Sequence, residues 1–187
     1  SLGKPTPSEG LRPLFWSTMP RTIVGLDLGQ ARDPTALVVL ESDDQAWNFQ
    51  CRHLERFPLN RPYPEYVQKV YDLMHLPELR SAALVIDHTG VGRVVMDMFR
   101  AVRLKPIGIT ITAGINSSHN STKTEYRVPK RDIAMAGLSL LQGQRLKISR
   151  QIPEAGVLVH ELLNFRVKVN LSGNDTYEAW REGDHDD

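Results

Sequence analysis

The sequence predicts an α/β fold: one mixed sheet of three antiparallel strands followed by parallel strands, with helices on both faces. Three observations lead there. Three apolar runs between residues 22 and 57 follow one another across short links, which favours antiparallel pairing because a parallel return needs a longer crossover. After residue 62 the apolar spacing changes from the period of a strand to that of a helix. From that point strand-like and helix-like segments alternate, the pattern of parallel strands joined through helices packed on the sheet.

The elements can be justified in order. Residues 1–21, SLGKPTPSEGLRPLFWSTMPR, hold four prolines and no alternation, and are expected to be a linker or N-terminal arm. The chain begins without Met, as a cut piece would, and residues 22–187 are expected to form the domain proper. Strands are predicted at 22–28, 35–42 and 47–57, separated by turns marked by Gly29, Asp33-Pro34 and Asp43-Asp44. A helix is predicted over 63–76, where Tyr66, Val67, Val70, Tyr71, Leu73 and Met74 share helical spacing and Pro64 suits a first turn. SAALVIDHTG is a wholly apolar strand ended by TGVG, and VGRVVMDMFRAV is the helix after it. KPIGITIT is a further strand, and residues 113–126 are expected to be a polar loop before the helix PKRDIAMAGLSLLQGQ. LKIS (strand), PEAGVLVHELLNF (helix), and RVKVNL and TYEAW (strands) complete the list. Parallel strands joined through a helix end on the same edge of a sheet.

Composition excludes several classes. At 187 residues, 41% hydrophobic and 24% charged, the chain can bury one sizeable core and is not composed like a disordered segment. Its formal net charge of +1 gives no bulk attraction to a polyanion, so such a partner must be held by a local patch or by metal ions. The single cysteine, Cys51, rules out an internal disulfide and a cysteine-based zinc cluster, and is expected to be a core thiol in a reducing compartment. No apolar run approaches the roughly 18 residues of a membrane span, and no secretory leader is visible. A cytoplasmic protein without membrane contact is expected.

Two of the apolar strands carry a charge. TIVGLD ends on Asp27 and LVID on Asp87. An uncompensated buried carboxylate costs several kcal/mol or stays protonated. Either each caps a turn or pairs with Arg or Lys, or the two share a divalent cation, for which oxygen ligands suit Mg²⁺ or Mn²⁺. The chain also ends on GDHDD, residues 183–187, readable as a solvated tail, a helix N-terminus or a third acidic element.

Taken together, GLDLGQARDPTALVV, VIDHTGVGRVVMD, VPKRDIAMAGLSLLQ and SGNDTYEAWREGDHDD resemble, in order and spacing, the nuclease domain of the large terminase subunit of tailed bacteriophages. The resemblance covers nearly everything after residue 21. It implies a ribonuclease H-like fold in which Asp27, Asp87, Asp186 and Asp187 are catalytic metal ligands. It also implies two Mg²⁺ or Mn²⁺ ions with DNA, about 3.5–4 Å apart, which activate a water and stabilise the leaving oxygen of a phosphodiester. The substrate implied is double-stranded DNA, cut as viral concatemers at the start and end of genome packaging in the host cytoplasm. The partners implied are an ATPase motor domain, a small terminase and a portal, the isolated domain being monomeric. Thr89, Gly90, Lys130 and Arg131 are candidate DNA contacts, and His185 and Asp33 candidate supports of the metal ligands. Two departures stand out. The helix that follows the last acidic pair in the family is missing after Asp187, and no GxxxxGK[ST] phosphate loop occurs. Alternatives are a Holliday-junction resolvase-like nuclease of the same fold, a sugar-kinase-like ATPase, for which the chain is short, and a non-catalytic DNA-docking module.

Overall fold

Period-two alternation decides which side of each central strand is buried. In TIVGLD, Val24 and Leu26 are buried while their neighbours are not, and in ALVVL, Leu37 and Val39 alternate in the same way with Val38 and Leu40. Successive side chains of a strand leave on opposite faces, so the two sets build two separate apolar layers. A computed structural model shows how they are used. It describes residues 21–29, 33–43 and 48–162, together with the backbone of 163, 165–169 and 175–179.

The strands are β1 (Thr22–Asp27), β2 (Ala36–Ser42), β3 (Phe49–Arg56), β4 (Ala83–Asp87), β5 (Ile107–Thr112), β6 (Ser118–His119), β7 (Glu125–Pro129), β8 (Leu146–Ile148), β9 (Phe165–Val169) and β10 (Asp175–Ala179). The helices are α1 (Tyr63–Met74), α2 (Arg93–Ala101), α3 (Lys130–Gln142) and α4 (Ala155–Leu163), with one 3-10 turn at Pro77–Leu79. Eight strands form one sheet in the order β6-β7-β5-β4-β1-β2-β3-β8. The meander β1-β2-β3 is antiparallel, whereas β4 joins β1, β5 joins β4 and β7 joins β5 in parallel. The mixed architecture expected from the sequence is therefore present. Among the described residues no helix is long and apolar enough to cross a membrane.

One face of the sheet carries the main core. Val24, Leu26, Leu37, Val39, Leu84 and Ile86 pack there with Val67 and Val70 of α1 and Val95, Met96 and Phe99 of α2. Phe99 and Ile86 are 0% exposed, and burying a side chain of this kind contributes about 1.5–3 kcal/mol. On the other face Cys51 meets Ile152 and Ala155, flanked by Val38, Leu40, Leu54 and Ile148. The lone thiol is a free, buried core residue, as its composition context suggested.

One expectation is corrected. Residues 113–126 are not wholly a loop: β6 and the start of β7 lie within them, and β7 pairs with β5 over Gly108–Thr112. The sequence EYRVP alternates too weakly to announce a strand, and its hydrogen bonds come from a partner far enough along the chain to be invisible locally. The last two strands, correctly expected as strands, form a separate two-stranded antiparallel ribbon.

One buried hydroxyl ties the end of β1 to the start of β2. Thr35, 1% exposed, is the buried polar residue of the described core. Its Oγ1 accepts the Gly29 N–H at 3.1 Å and its carbonyl accepts the Phe57 N–H at 2.8 Å, tying together the end of β1, the start of β2 and the end of β3. Gly29 lies so close to the returning chain that a Cβ there would collide with the Asp33 carbonyl oxygen and come within 2.7 Å of the Pro34 carbonyl carbon. These are backbone atoms and cannot swing aside. Gly29→Ala is thus expected to lower stability by about 1–3 kcal/mol, the usual cost of overpacking, while Gly114→Ala, where the nearest atom is 3.7 Å away, stays within about 0.5 kcal/mol of the parent. Denaturant unfolding of the two variants checks this.

Candidate active site

Asp27 closes β1 and Asp87 closes β4, and in the parallel pairing of these strands the two residues are register partners. Adjacent strands lie about 4.8 Å apart, so both carboxylates leave the same face of the sheet, side by side at its C-terminal edge. The Leu28 N–H donates to the Asp87 carbonyl at 3.3 Å, carrying the ladder one residue beyond the pair and holding its register.

The electrostatics follow from that placement. The Asp27 carboxyl is held above its ordinary pKa of 3.8, first by desolvation, then by the negative charge of Asp87, then by that of Asp33. The residue as a whole opens to solvent at the sheet edge, yet its carboxyl sits low enough against the packed edge for lost hydration to lead. Nothing among the described residues opposes these effects with a paired cation or a donated hydrogen bond. Asp87 is held differently. Its Oδ1 accepts the Thr89 N–H at 2.9 Å and the Thr89 hydroxyl at 2.6 Å, the first of these being the i to i+2 bond of an Asx turn. The same hydroxyl accepts the Ile111 N–H of β5 at 2.8 Å.

A hard divalent cation fits this pair. Its donors are all carboxylate oxygen, and the surplus negative charge is of the sign and place that such an ion neutralises. Among the described residues no group of three or more His, Cys, Asp or Glu gathers in metal-holding geometry, so Asp27 and Asp87 form a two-carboxylate core to which other oxygen ligands would be added.

No protein-family model matches the sequence, and no curated protein matches it. Solved structures do. The large terminase nuclease of thermophilic phage G20c aligns with a TM-score of 0.57 at 20% identity, over 87% of this chain and 74% of that one. The chain has the terminase-nuclease fold. The P22 large terminase nuclease domain gives a TM-score of 0.53 at 12% identity, over 83% of this chain and 72% of that one. The human cytomegalovirus terminase nuclease domain, in a manganese-soaked structure, gives 0.51 at 12% identity, over 82% and 76%. At these identities the likeness is one of fold. The terminase-nuclease fold is the ribonuclease H-like sheet expected above.

On this fold the other candidate residues take their places. Asp33 lies in the link after β1, close enough to add to the charge felt by Asp27. Lys130 and Arg131 open α3 directly after β7, and because β4, β5 and β7 run parallel they stand at the same edge as the carboxylates. Thr89 and Gly90 follow Asp87 in an exposed turn, where Gly90 and Gly92 have φ of 82° and 79°, the left-handed region that favours glycine. Asp186, Asp187 and His185 lie outside the described residues.

Two features were not read from the sequence. One is the link from Thr89 to Asp87, for which the i, i+2 spacing in DHT was a signal; the other half of the link, Ile111, had none. The other is a polar network behind the site. His88 points to the opposite face from Asp87, its Nε2 lying 3.2 Å from Glu125 Oε2. The other oxygen of Glu125 accepts from Arg100, which also donates to Asp97 at 3.1 Å. Gly108 makes room for it, since a Cβ there would meet the Glu125 carboxylate and lie 3.0 Å from His88 Nε2.

The raised Asp27 pKa has a consequence for stability. A carboxyl that binds its proton more tightly folded than unfolded favours the fold at low pH, and that contribution is lost as pH rises from the unfolded value through the folded one. At neutral pH the ionised Asp27 therefore works against folding. Asp27→Asn is expected to raise the thermal unfolding midpoint at pH 7 in the presence of a chelator, and the gain should shrink as the pH is lowered toward 3.8, which a Tm series against pH checks.

Proposed function

We propose that the protein is a divalent-metal-dependent endonuclease that cuts double-stranded viral DNA concatemers when genome packaging begins and ends. The observation that carries this reading is the in-register pairing of Asp27 and Asp87 at the C-terminal edge of the sheet, with the charge surplus on Asp27 left uncompensated among the described residues. The terminase-nuclease fold supports it, and a viral nuclease of that fold has been soaked with manganese.

Asp27 and Asp87 would hold Mg²⁺ or Mn²⁺, joined by Asp186 and Asp187, with two ions per site once DNA is present. When bound, such ions supply a nucleophile from water at neutral pH and stabilise the departing oxygen of the phosphodiester. The protein's own task is to hold oxygen ligands on rigid strands, which fixes their geometry better than loops would. The two carboxylates need not move a proton. By themselves they repel a phosphate, so the edge accepts the DNA backbone only when a cation has reversed the sign of the local field. Lys130, Arg131 and the amide of Gly90 would then engage phosphates on either side, with Asp33 and His185 supporting the metal ligands. With a net charge of +1, such local contacts have to supply the attraction that the chain as a whole does not. An ATPase motor domain, a small terminase and a portal are the partners this role entails.

Supercoiled plasmid incubated with Mn²⁺ or Mg²⁺ is expected to be nicked and linearised, and a chelator should stop the reaction. Asp27→Asn and Asp87→Asn should each reduce the rate by at least ~100-fold, the scale on which removing one electrostatic element of an active site acts, while both variants stay folded by circular dichroism. Cleavage by either at the parent rate would remove the metal-site assignment.

Cutting should show little sequence preference, because contacts go to phosphate rather than to base edges, and binding should weaken as salt rises. Mapped cleavage ends on linear duplex check this. A sharp recognition motif, or a strong preference for four-way junctions over duplex, would instead favour a resolvase-like enzyme.

A further inference from the structure

The two carboxylates of the site are not equivalent. Asp27 receives no hydrogen bond among the described residues, whereas Asp87 Oδ1 receives two, both from Thr89, at 2.9 Å from the N–H and 2.6 Å from the hydroxyl. The hydroxyl proton has a defined direction, because the same oxygen accepts the Ile111 N–H at 2.8 Å and a hydroxyl holding a donor on its lone pair must point its own hydrogen elsewhere. Ile111 is itself a strand residue. The paired stretch of β4 and β5 ends at Asp87 and Ile109, and the His88 N–H still reaches the Ile109 carbonyl at 3.1 Å. The Ile111 N–H beyond it is taken up by the Thr89 side chain instead of by a strand.

We propose that Thr89 is the positioning residue of the metal site. Its hydroxyl transmits the rigidity of β5 to the Asp87 carboxylate, fixing Oδ1 and leaving Oδ2 as the oxygen presented to a divalent cation. This rests on the metal-site reading above and adds which of the two carboxylates is preorganised, and by what. Asp87 is the first ligand to be filled, since its orientation is set before the ion arrives, while Asp27 is ordered by the ion. Outer partners of this kind orient a metal ligand and raise its affinity for the ion. Thr89 touches neither DNA nor metal in this role.

The test is Mn²⁺ binding by titration calorimetry on the full chain without DNA, in parent, Thr89→Val, Thr89→Ser and Thr89→Ala, each with its folded fraction measured by circular dichroism. Valine keeps the branched shape and the backbone N–H but loses the hydroxyl. Roughly tenfold weaker Mn²⁺ affinity is expected for Thr89→Val and Thr89→Ala, the low end of the range seen when an outer partner is removed. Thr89→Ser should bind within about twofold of the parent, because it restores both hydrogen bonds of the hydroxyl. A purely structural role would lower the unfolding midpoint of the valine variant and leave the affinity of its folded fraction unchanged. Parent-like affinity in folded Thr89→Val or Thr89→Ala, or failure of Thr89→Ser to restore binding, overturns the positioning role while leaving the metal site standing. If the parent itself binds no Mn²⁺, the metal site and the positioning role fall together.

Discussion

Two like charges held a strand's width apart are the constraint on which the rest of the structure turns. In a parallel pair the register is set by evenly spaced backbone hydrogen bonds along the whole strand, and Val24, Leu26, Leu84 and Ile86 lock it further by filling one apolar layer with α1 and α2. Asp27 and Asp87 are carried into contact by that register. A slip of one residue would relieve the repulsion but would turn the apolar layer to the wrong face, which costs far more. The core therefore pins the carboxylates where their own interaction disfavours them, and the raised pKa of Asp27 reflects first its lost hydration and then the charge of Asp87. Perturbed groups of this kind, imposed by packing, are more common at functional sites than at ordinary strand ends.

The surroundings of the pair divide the work between the two faces of the sheet. On the side of the carboxylates, Thr89 and Ile111 tie the end of β4 to β5. On the opposite side, His88, Glu125, Arg100 and Asp97 tie the end of β4 to β7 and α2. The end of a strand, normally the first part to fray, is thus gripped from both faces directly beside Asp87. At the end of β1 the same service is given by Thr35, whose hydroxyl and carbonyl hold Gly29 and Phe57.

How far the sequence reveals all this varies with the physics involved. A charge in an otherwise apolar strand is visible to anyone counting residues, so Asp27 and Asp87 stood out. Their parallel alignment could be expected from the strand and helix order, but not its register, which depends on contacts between distant segments. The four helices and the meander were legible because their signals are local: apolar spacing, Pro64 in a first turn, Gly29 and Asp33-Pro34 in the links. β7 was not, because EYRVP draws its stability from partners on both sides rather than from its own composition. The separate ribbon of β9 and β10 was missed for a related reason: two strands can be recognised singly while the choice of partner remains a global matter. The Asx turn of Thr89 was readable in principle, and the bond from Ile111 was not.

The crossover between β1 and β4 also carries a kinetic meaning. Asp27 and Asp87 stand sixty positions apart, and β1 can pair with β2 and β3 as a local meander well before it meets β4. Closing the longer loop is entropically dearer and slower than forming the meander. A chain that has only reached the meander holds Asp27 without its register partner Asp87. The paired carboxylates thus arise only when β1 meets β4 across that longer loop, and pairing of β3 with β8 spans a longer one still.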